Sequence, residues 1–276
     1  MRKREKHCRM RYTNFYPSSG LYHVSLPLLM GTRLDALLFG DDRQYLESFW
    51  DGVEMELRHL EKMLNRFDEE SEVAKVNNNA LFSSVQLSDE LWEILNDCKR
   101  YYELTDGCFD ITLSDFREVV FLEESQSICL NKYGIILDLG GYAKGYALRC
   151  VRKQLDDAGI KCALINFGNS SVLAQGAHPF GDSWPIGVED PFSGNKMKTI
   201  NLCNTSMSVS GNTPQHKKHI LNTETAELVE GDVMVAVVSD DPVDAEVLTT
   251  AWIASGKSDP PEWIEKFNLK NTYKIR

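Results

Sequence analysis

Long apolar runs are missing from this chain. No stretch reaches the roughly 18–20 residues that a membrane-spanning helix needs. An excess of basic charge is missing as well: 30 Lys and Arg stand against 41 Asp and Glu, for a formal net charge of −11. That balance argues against general nucleic-acid binding, because a phosphate backbone calls for a basic surface. The seven cysteines (Cys8, Cys98, Cys108, Cys129, Cys150, Cys162 and Cys203) are scattered, odd in number and without a CxxC pair. They form neither a disulfide framework nor a zinc motif. Several lie in apolar runs as small core residues, so a reducing compartment, the cytoplasm, is expected. The basic start, MRKREKHCRMRYTNFYP, has no apolar segment behind it and reads as neither a signal peptide nor a lipoprotein leader. Residues 1–20 are expected to be a tail or the start of an edge strand. Internal repeats and low-complexity linkers are also lacking. With 276 residues, 42% of them hydrophobic and 26% charged, one compact α+β domain over residues 21–276 is the expected organisation.

What is present is organised around IILDLGGYAKGY at 135–146. Ile135, Ile136 and Leu137 read as a buried strand, Gly140 and Gly141 break it, and Ala147, Cys150, Val151 and Leu155 mark the apolar face of a following helix. A strand, a glycine turn and a helix bring backbone N–H groups to a helix N-terminus, where an anion can sit. Lys144 falls in the first helical turn, where the helix dipole disfavours a cation. A bound anion accounts for it; an ordinary strand-to-helix turn with an exposed lysine accounts for it equally well.

The remaining elements follow from period and punctuation. Residues 22–39 alternate as strands around Met30-Gly31-Thr32. Leu46, Phe49, Val53, Leu57, Leu60, Leu64 and Phe67 recur at helical spacing. A short helix is expected over 73–79 and a longer one from the cap at Ser88. Two strands joined by a turn at 123–126 are expected within 115–137. Gly159 suits a helix stop. Strands are expected at 161–167, 171–174, 206–210, 233–238 and 273–276, and residues 177–200 read as a loop entering a strand near 198–202. A helix over 245–254 places Glu246 and Thr250 four apart on one face; Glu246 also reads as a surface acid on an amphipathic helix, and Thr250 as a core contact. Pro260-Pro261 opens a short last helix.

The order of these segments carries a resemblance. Met30-Gly31-Thr32, FDEESE at 67–72, GCFDIT at 107–112, DLGGYAKGYA at 138–147, INFGNSSVLAQG at 165–176, SGNTPQHKKHILN at 210–222 and AEVLTTAWIASG at 245–256 together resemble the FAD:protein FMN transferase (ApbE) family. The resemblance implies a T-fold-like α+β architecture, two related halves with mainly antiparallel sheets and packed helices. It also implies an activity: Mg²⁺-assisted cleavage of FAD, release of AMP, and attachment of FMN through its phosphate to a threonine or serine of a target protein. An FAD pyrophosphatase giving FMN and AMP, or a non-catalytic FAD-binding protein, is the alternative.

Matched positions carry the implied roles. Glu246, Thr250 and the Ala143 carbonyl correspond to the metal ligands, with Thr249 as a further contact. Met30, Phe67, Cys108, Phe109, Asp110, Gly140, Lys144, Tyr146 and Ile220 correspond to positions along the dinucleotide. Asp110 is also a candidate for the chemistry or for a turn. His219 lies where it would deprotonate the attacking hydroxyl or orient phosphate. Three departures stand out. Glu246 replaces the family's usual aspartate, Asn169 replaces a glycine, and residues 222–226 lack the usual proline and glycine.

Overall fold

The computed structural model describes residues 10–112, 114–190, 197–212, 220, 227–229 and 232–275. The chain opens with β1 (Tyr12–Tyr16), β2 (Leu21–Leu29) and β3 (Thr32–Phe39), the last two joined by Met30 and Gly31 in left-handed conformations. β1 pairs with β2 throughout its length, so residues 12–16 belong to the sheet and form its edge, rather than a tail ahead of the domain.

Next come α1 (Arg43–Leu64), α2 (Glu72–Asn79), β4 (Val85–Gln86), α3 (Asp89–Leu104), β5 (Val119–Leu122) and β6 (Ser127–Leu130). The helix starts follow from their caps. Asp42 accepts from the amides of Gln44 and Tyr45, Ser71 from Ala74, and Ser88 from Leu91. α4 (Ala143–Asp157) ends at Gly159, whose φ of +67° suits the αL residue that closes a helix. β7 (Ala163–Phe167), β8 (Ser171–Gln175), β9 (Trp184–Glu189), β10 (Met197–Leu202), β11 (Ser206–Asn212), β12 (Val233–Ser239), α5 (Pro242–Ala254) and β13 (Leu269–Lys274) complete the order.

The main sheet runs β1-β2-β3-β7-β8-β11-β12-β13 with every neighbour antiparallel. The helices pack on one face. On the other, the β9–β10 hairpin lays Trp184, Val188, Ile200 and Leu202 against Val172, Ala174, Met207, Ala236 and Val238. Leu173, Val235 and Val237 meanwhile point into the helical core. Both faces being covered, β8 is buried at every position and β12 reads as an apolar run rather than an alternating one.

Two expectations are corrected. Ile135 to Leu137 do not form a strand. Ile135, Leu137 and Leu139 are buried, but the backbone is held by the Asn77 amide, which bonds both the N–H and the carbonyl of Leu137, and by the carbonyls of Thr112 and Ile111. The segment is extended without entering a ladder. And the stretch after Ala177 contains a strand, β9, hidden in the sequence by its glycines, prolines and aspartates.

Candidate functional site

α5 is buried on nearly every side: ten of its side chains besides Thr249, Glu246 among them, are shut away between the sheet and α4. The two helices meet at Gly145, where an added Cβ would lie 2.8 Å from the Glu246 Cβ and 2.9 Å from the Pro242 carbonyl oxygen. Only glycine permits this approach. It sets Lys144 directly over Glu246, and the Lys144 ammonium pairs with Glu246 Oε1. Oε2 accepts from Ser171 Oγ on β8 at 2.5 Å and from Ser208 Oγ on β11 at 2.8 Å. The carboxylate is 4% exposed. Glu246 is therefore no surface acid. Burying a carboxylate is tolerated only with such partners, and the Lys144 that the helix dipole disfavours has its counter-ion here.

Thr250 stands one turn on. Its Oγ1 lies 3.3 Å from the Glu246 carbonyl and 3.4 Å from where a Gly141 Cβ would be, so the hydroxyl rests on the glycine turn. Thr249 is fully buried, on the side of α5 that meets β11. It donates to the Glu246 carbonyl at 2.9 Å and accepts from Ser210 at 3.0 Å.

The glycine turn has an outer rim. The Gly140 amide donates to Asp138 Oδ1 at 2.9 Å, and Asp138 Oδ2 pairs with Arg66 at 2.8 Å. The Arg66 guanidinium sits 4.3 Å from the centre of the Phe67 ring, which is 79% exposed. Phe67 is no core residue and offers a free face beside the turn. Phe109 is core: edge-on to Tyr101 at 6.1 Å, its ring supports Gly141 from below.

The Asp110 carboxylate is engaged by its own loop, accepting from the Thr112 amide (2.7 Å), the Thr112 hydroxyl (2.6 Å) and the Phe116 amide (3.0 Å). These are the hydrogen bonds of the turn role expected for it. Cys108 packs against the core. Met30 reverses the chain between β2 and β3, its amide bonded to Glu61 at 2.7 Å. Tyr146 stacks on Tyr142 at 5.8 Å. Ile220 is buried and its carbonyl accepts from Val229. His219, with residues 213–218 and 221–226, lies outside the described residues.

A second polar cluster fixes the two helices, and sequence reasoning missed it. Arg149 of α4 grips both oxygens of Asp241, the α5 N-cap, at 3.0 and 2.6 Å, and reaches Asp97 of α3 at 3.0 Å. Tyr142 donates to Asp97 at 2.7 Å and Tyr101 to Asp244 at 2.6 Å. Burial would raise the Asp97 carboxyl, but the Tyr142 hydrogen bond and the Arg100 and Arg149 charges hold it below the usual carboxylate range. Burial raises Asp244. The partners of Glu246, Ser171 and Ser208, were missed as well. Ser171 opens a strand followed by three apolar residues, whereas Ser208 is one of three serines in β11 and carries no distinguishing signal.

Among the described residues no group of three or more His, Cys, Asp or Glu could hold a metal. The resemblance implies Mg²⁺, which commonly takes one or two carboxylates and leaves the rest of its shell to water and phosphate. The residues fit such an ion. Glu246 already holds a cation, the Lys144 ammonium, and the hydroxyl of Thr250 adds an oxygen donor on the same helix.

Comparison with known proteins places the chain in a family. The ApbE family pattern matches residues 30–127 and 113–273. The chain belongs to the ApbE family. It is 25% identical over 257 residues to an FAD:protein FMN transferase of Chlamydia muridarum, covering 76% of this chain and 77% of that one. To one of Klebsiella pneumoniae it is 24% identical over 267 residues, covering 83% and 81%. Among solved structures, the fold matches the Vibrio cholerae flavin transferase ApbE with a TM-score of 0.80 at 16% identity, covering 93% of each chain. It matches the Thermotoga maritima ApbE protein at 0.78 with 19% identity, covering 92% and 96%. The α+β class with mainly antiparallel sheets is thus that of the ApbE structures.

Proposed function

We propose that this chain cleaves FAD and transfers its FMN part to a threonine or serine hydroxyl of an acceptor protein. The observation that carries the reading is the buried Glu246 with its cation, seated under a glycine turn at a helix N-terminus. In the step, the acceptor oxygen bonds to the flavin-side phosphorus. The bond from that phosphorus to the bridging oxygen breaks, and AMP leaves with the bridging oxygen. The acceptor's hydroxyl proton passes to a base, for which His219 is the candidate.

The chain's own residues orient the pyrophosphate. The α4 N-terminus and Lys144 suit its negative oxygens, and the exposed face of Phe67 suits a flat ring system. Asp110 supports the site by holding its loop. Mg²⁺, held by Glu246, Thr250 and the Ala143 carbonyl, would supply positive charge against the charge that builds on the pyrophosphate.

The location we propose is the cytoplasm, supported by the free thiols of Cys98, Cys129, Cys150, Cys162 and Cys203. No helix among the described residues is long and apolar enough to cross a membrane. The test is incubation with FAD, Mg²⁺ and a candidate acceptor, following AMP, free FMN and protein-linked flavin. AMP with protein-linked flavin is expected. AMP with free FMN alone replaces transfer by hydrolysis, and FAD bound without any AMP leaves a binding protein.

A further inference from the structure

Both oxygens of Glu246 are already committed, and the commitments are unequal. Ser171 and Ser208 reach Oε2 from β8 and β11, neighbouring strands in which the two serines are directly paired and buried, so both hydroxyls are carried on short side chains fixed to the sheet. Oε1 is held by Lys144, whose side chain keeps 20% of its surface in solvent. A lysine carries its charge on a flexible four-carbon stem. The stem can swing; its base cannot, because Gly145 locks α4 against α5 one residue on. A second cation on this carboxylate would sit against the ammonium in a poorly screened interior, where like charges repel strongly.

We propose that Lys144 is a placeholder cation. It fills the Glu246 site in the empty protein and leaves only when phosphate oxygens at the α4 N-terminus draw it off, so that metal and dinucleotide enter together. The length of Glu246 makes the device work: the carboxylate reaches the two serines and the lysine at once. The inference rests on the transferase reading, since the phosphate that moves Lys144 is that of FAD. By linkage, whatever FAD does to metal affinity the metal must do to FAD affinity.

The test is titration calorimetry with Mn²⁺ and no nucleotide, on wild type, Lys144→Met and Glu246→Asp. Wild type should bind weakly. Lys144→Met removes the competitor, and Glu246→Asp draws the carboxylate back from it, so each should bind Mn²⁺ on the order of tenfold tighter or more. With saturating FAD the wild type should gain at least as much, and Lys144→Met distinctly less, because its placeholder is already gone. Thermal melting follows the fold. Lys144→Met leaves Glu246 without its counter-ion, so its melting temperature should fall without metal and recover with Mn²⁺, a recovery wild type does not show. Equal nucleotide-free affinity in all three proteins overturns the proposal, as does tight metal binding by wild type alone. If FAD is neither bound nor cleaved, the transferase reading fails, while the nucleotide-free titration still decides whether Lys144 blocks the metal.

Discussion

Helices α1 and α5 are built from the same period and do opposite things with it. α1 buries one stripe, Leu46, Trp50, Val53, Leu57, Leu60, Met63 and Leu64, and gives its charged residues to solvent or surface ion pairs. α5 is enclosed on nearly every side, only Asp244 and Thr250 being half-buried, so its polar groups find their partners in the protein. The same residue type therefore means different things on the two helices. The glutamates of α1 keep part of their surface in solvent, Glu54 at 19% and Glu61 at 21% against 4% for Glu246. Glu246 on α5 is held by three side chains from three elements.

The sharpest way to break that contrast is to neutralise one glutamate on each helix. Glu246→Gln keeps the size and removes the charge that holds Lys144 or a metal. The rate of AMP release should fall on the order of 10²-fold or more, since the charge on the pyrophosphate loses its offset. Thr250→Val should act in the same direction but more mildly, a neutral hydroxyl contributing less than a carboxylate. Glu56→Gln on α1 should leave the rate unchanged. Loss of the same size from Glu56→Gln, or none from Glu246→Gln, would show that burial does not mark the working acid.

Gly145→Ala attacks the contact itself. The new methyl would meet Glu246 Cβ at 2.8 Å, the Pro242 carbonyl oxygen at 2.9 Å and Val243 Cα at 3.0 Å, two of them backbone atoms. Overpacking of this kind costs about 1–3 kcal/mol. A lower urea midpoint with an unchanged slope is expected, together with loss of the Lys144–Glu246 register and hence of activity.

Much of this was legible in the chain. The caps at Ser88 and Gly159 mark real helix ends, and the glycine turn lies where its double glycine puts it. The extended segment before that turn was misread as a strand because period cannot tell a ladder from a backbone held by Asn77 and a neighbouring loop. The enclosure of α5 was not legible: a helix of 13 residues shows no stripe when every face is apolar, and Glu246 then looks like the polar side of one. Its partners lie 102, 75 and 38 residues away, distances that no local pattern encodes.

A milder perturbation tests what aligns α4 and α5. Asp97 anchors Arg149 and Tyr142, and its carboxyl lies below the ordinary range in the folded protein. A depressed folded value means that the contribution is present above the unfolded carboxylate pKa of about 4 and is lost as pH falls through the lower folded value. Asp97→Asn should therefore be less stable at pH 7 by about 2 kcal/mol. The gap to wild type should close as both are taken below about pH 4. A gap that does not change with pH would mean the charge of Asp97 is not what aligns the helices.

The smallest expected effect comes from the matching glycine on α1. Gly52 is helical and half-buried, and a Cβ built on it meets nothing within 4 Å. No close approach requires it, in contrast to Gly145. Glycine within a helix is less favourable than alanine by roughly 0.8–1.0 kcal/mol, because the unfolded chain loses more freedom on ordering. Gly52→Ala should accordingly raise the unfolding free energy by up to about 1 kcal/mol, read as a higher urea midpoint at unchanged slope, without touching FAD cleavage. The two Gly→Ala exchanges thus predict opposite signs from one substitution type, decided by what stands opposite each helix. If Gly52→Ala destabilised the protein as Gly145→Ala is expected to, α1 would be enclosed as α5 is, and the contrast between the two helices would be lost.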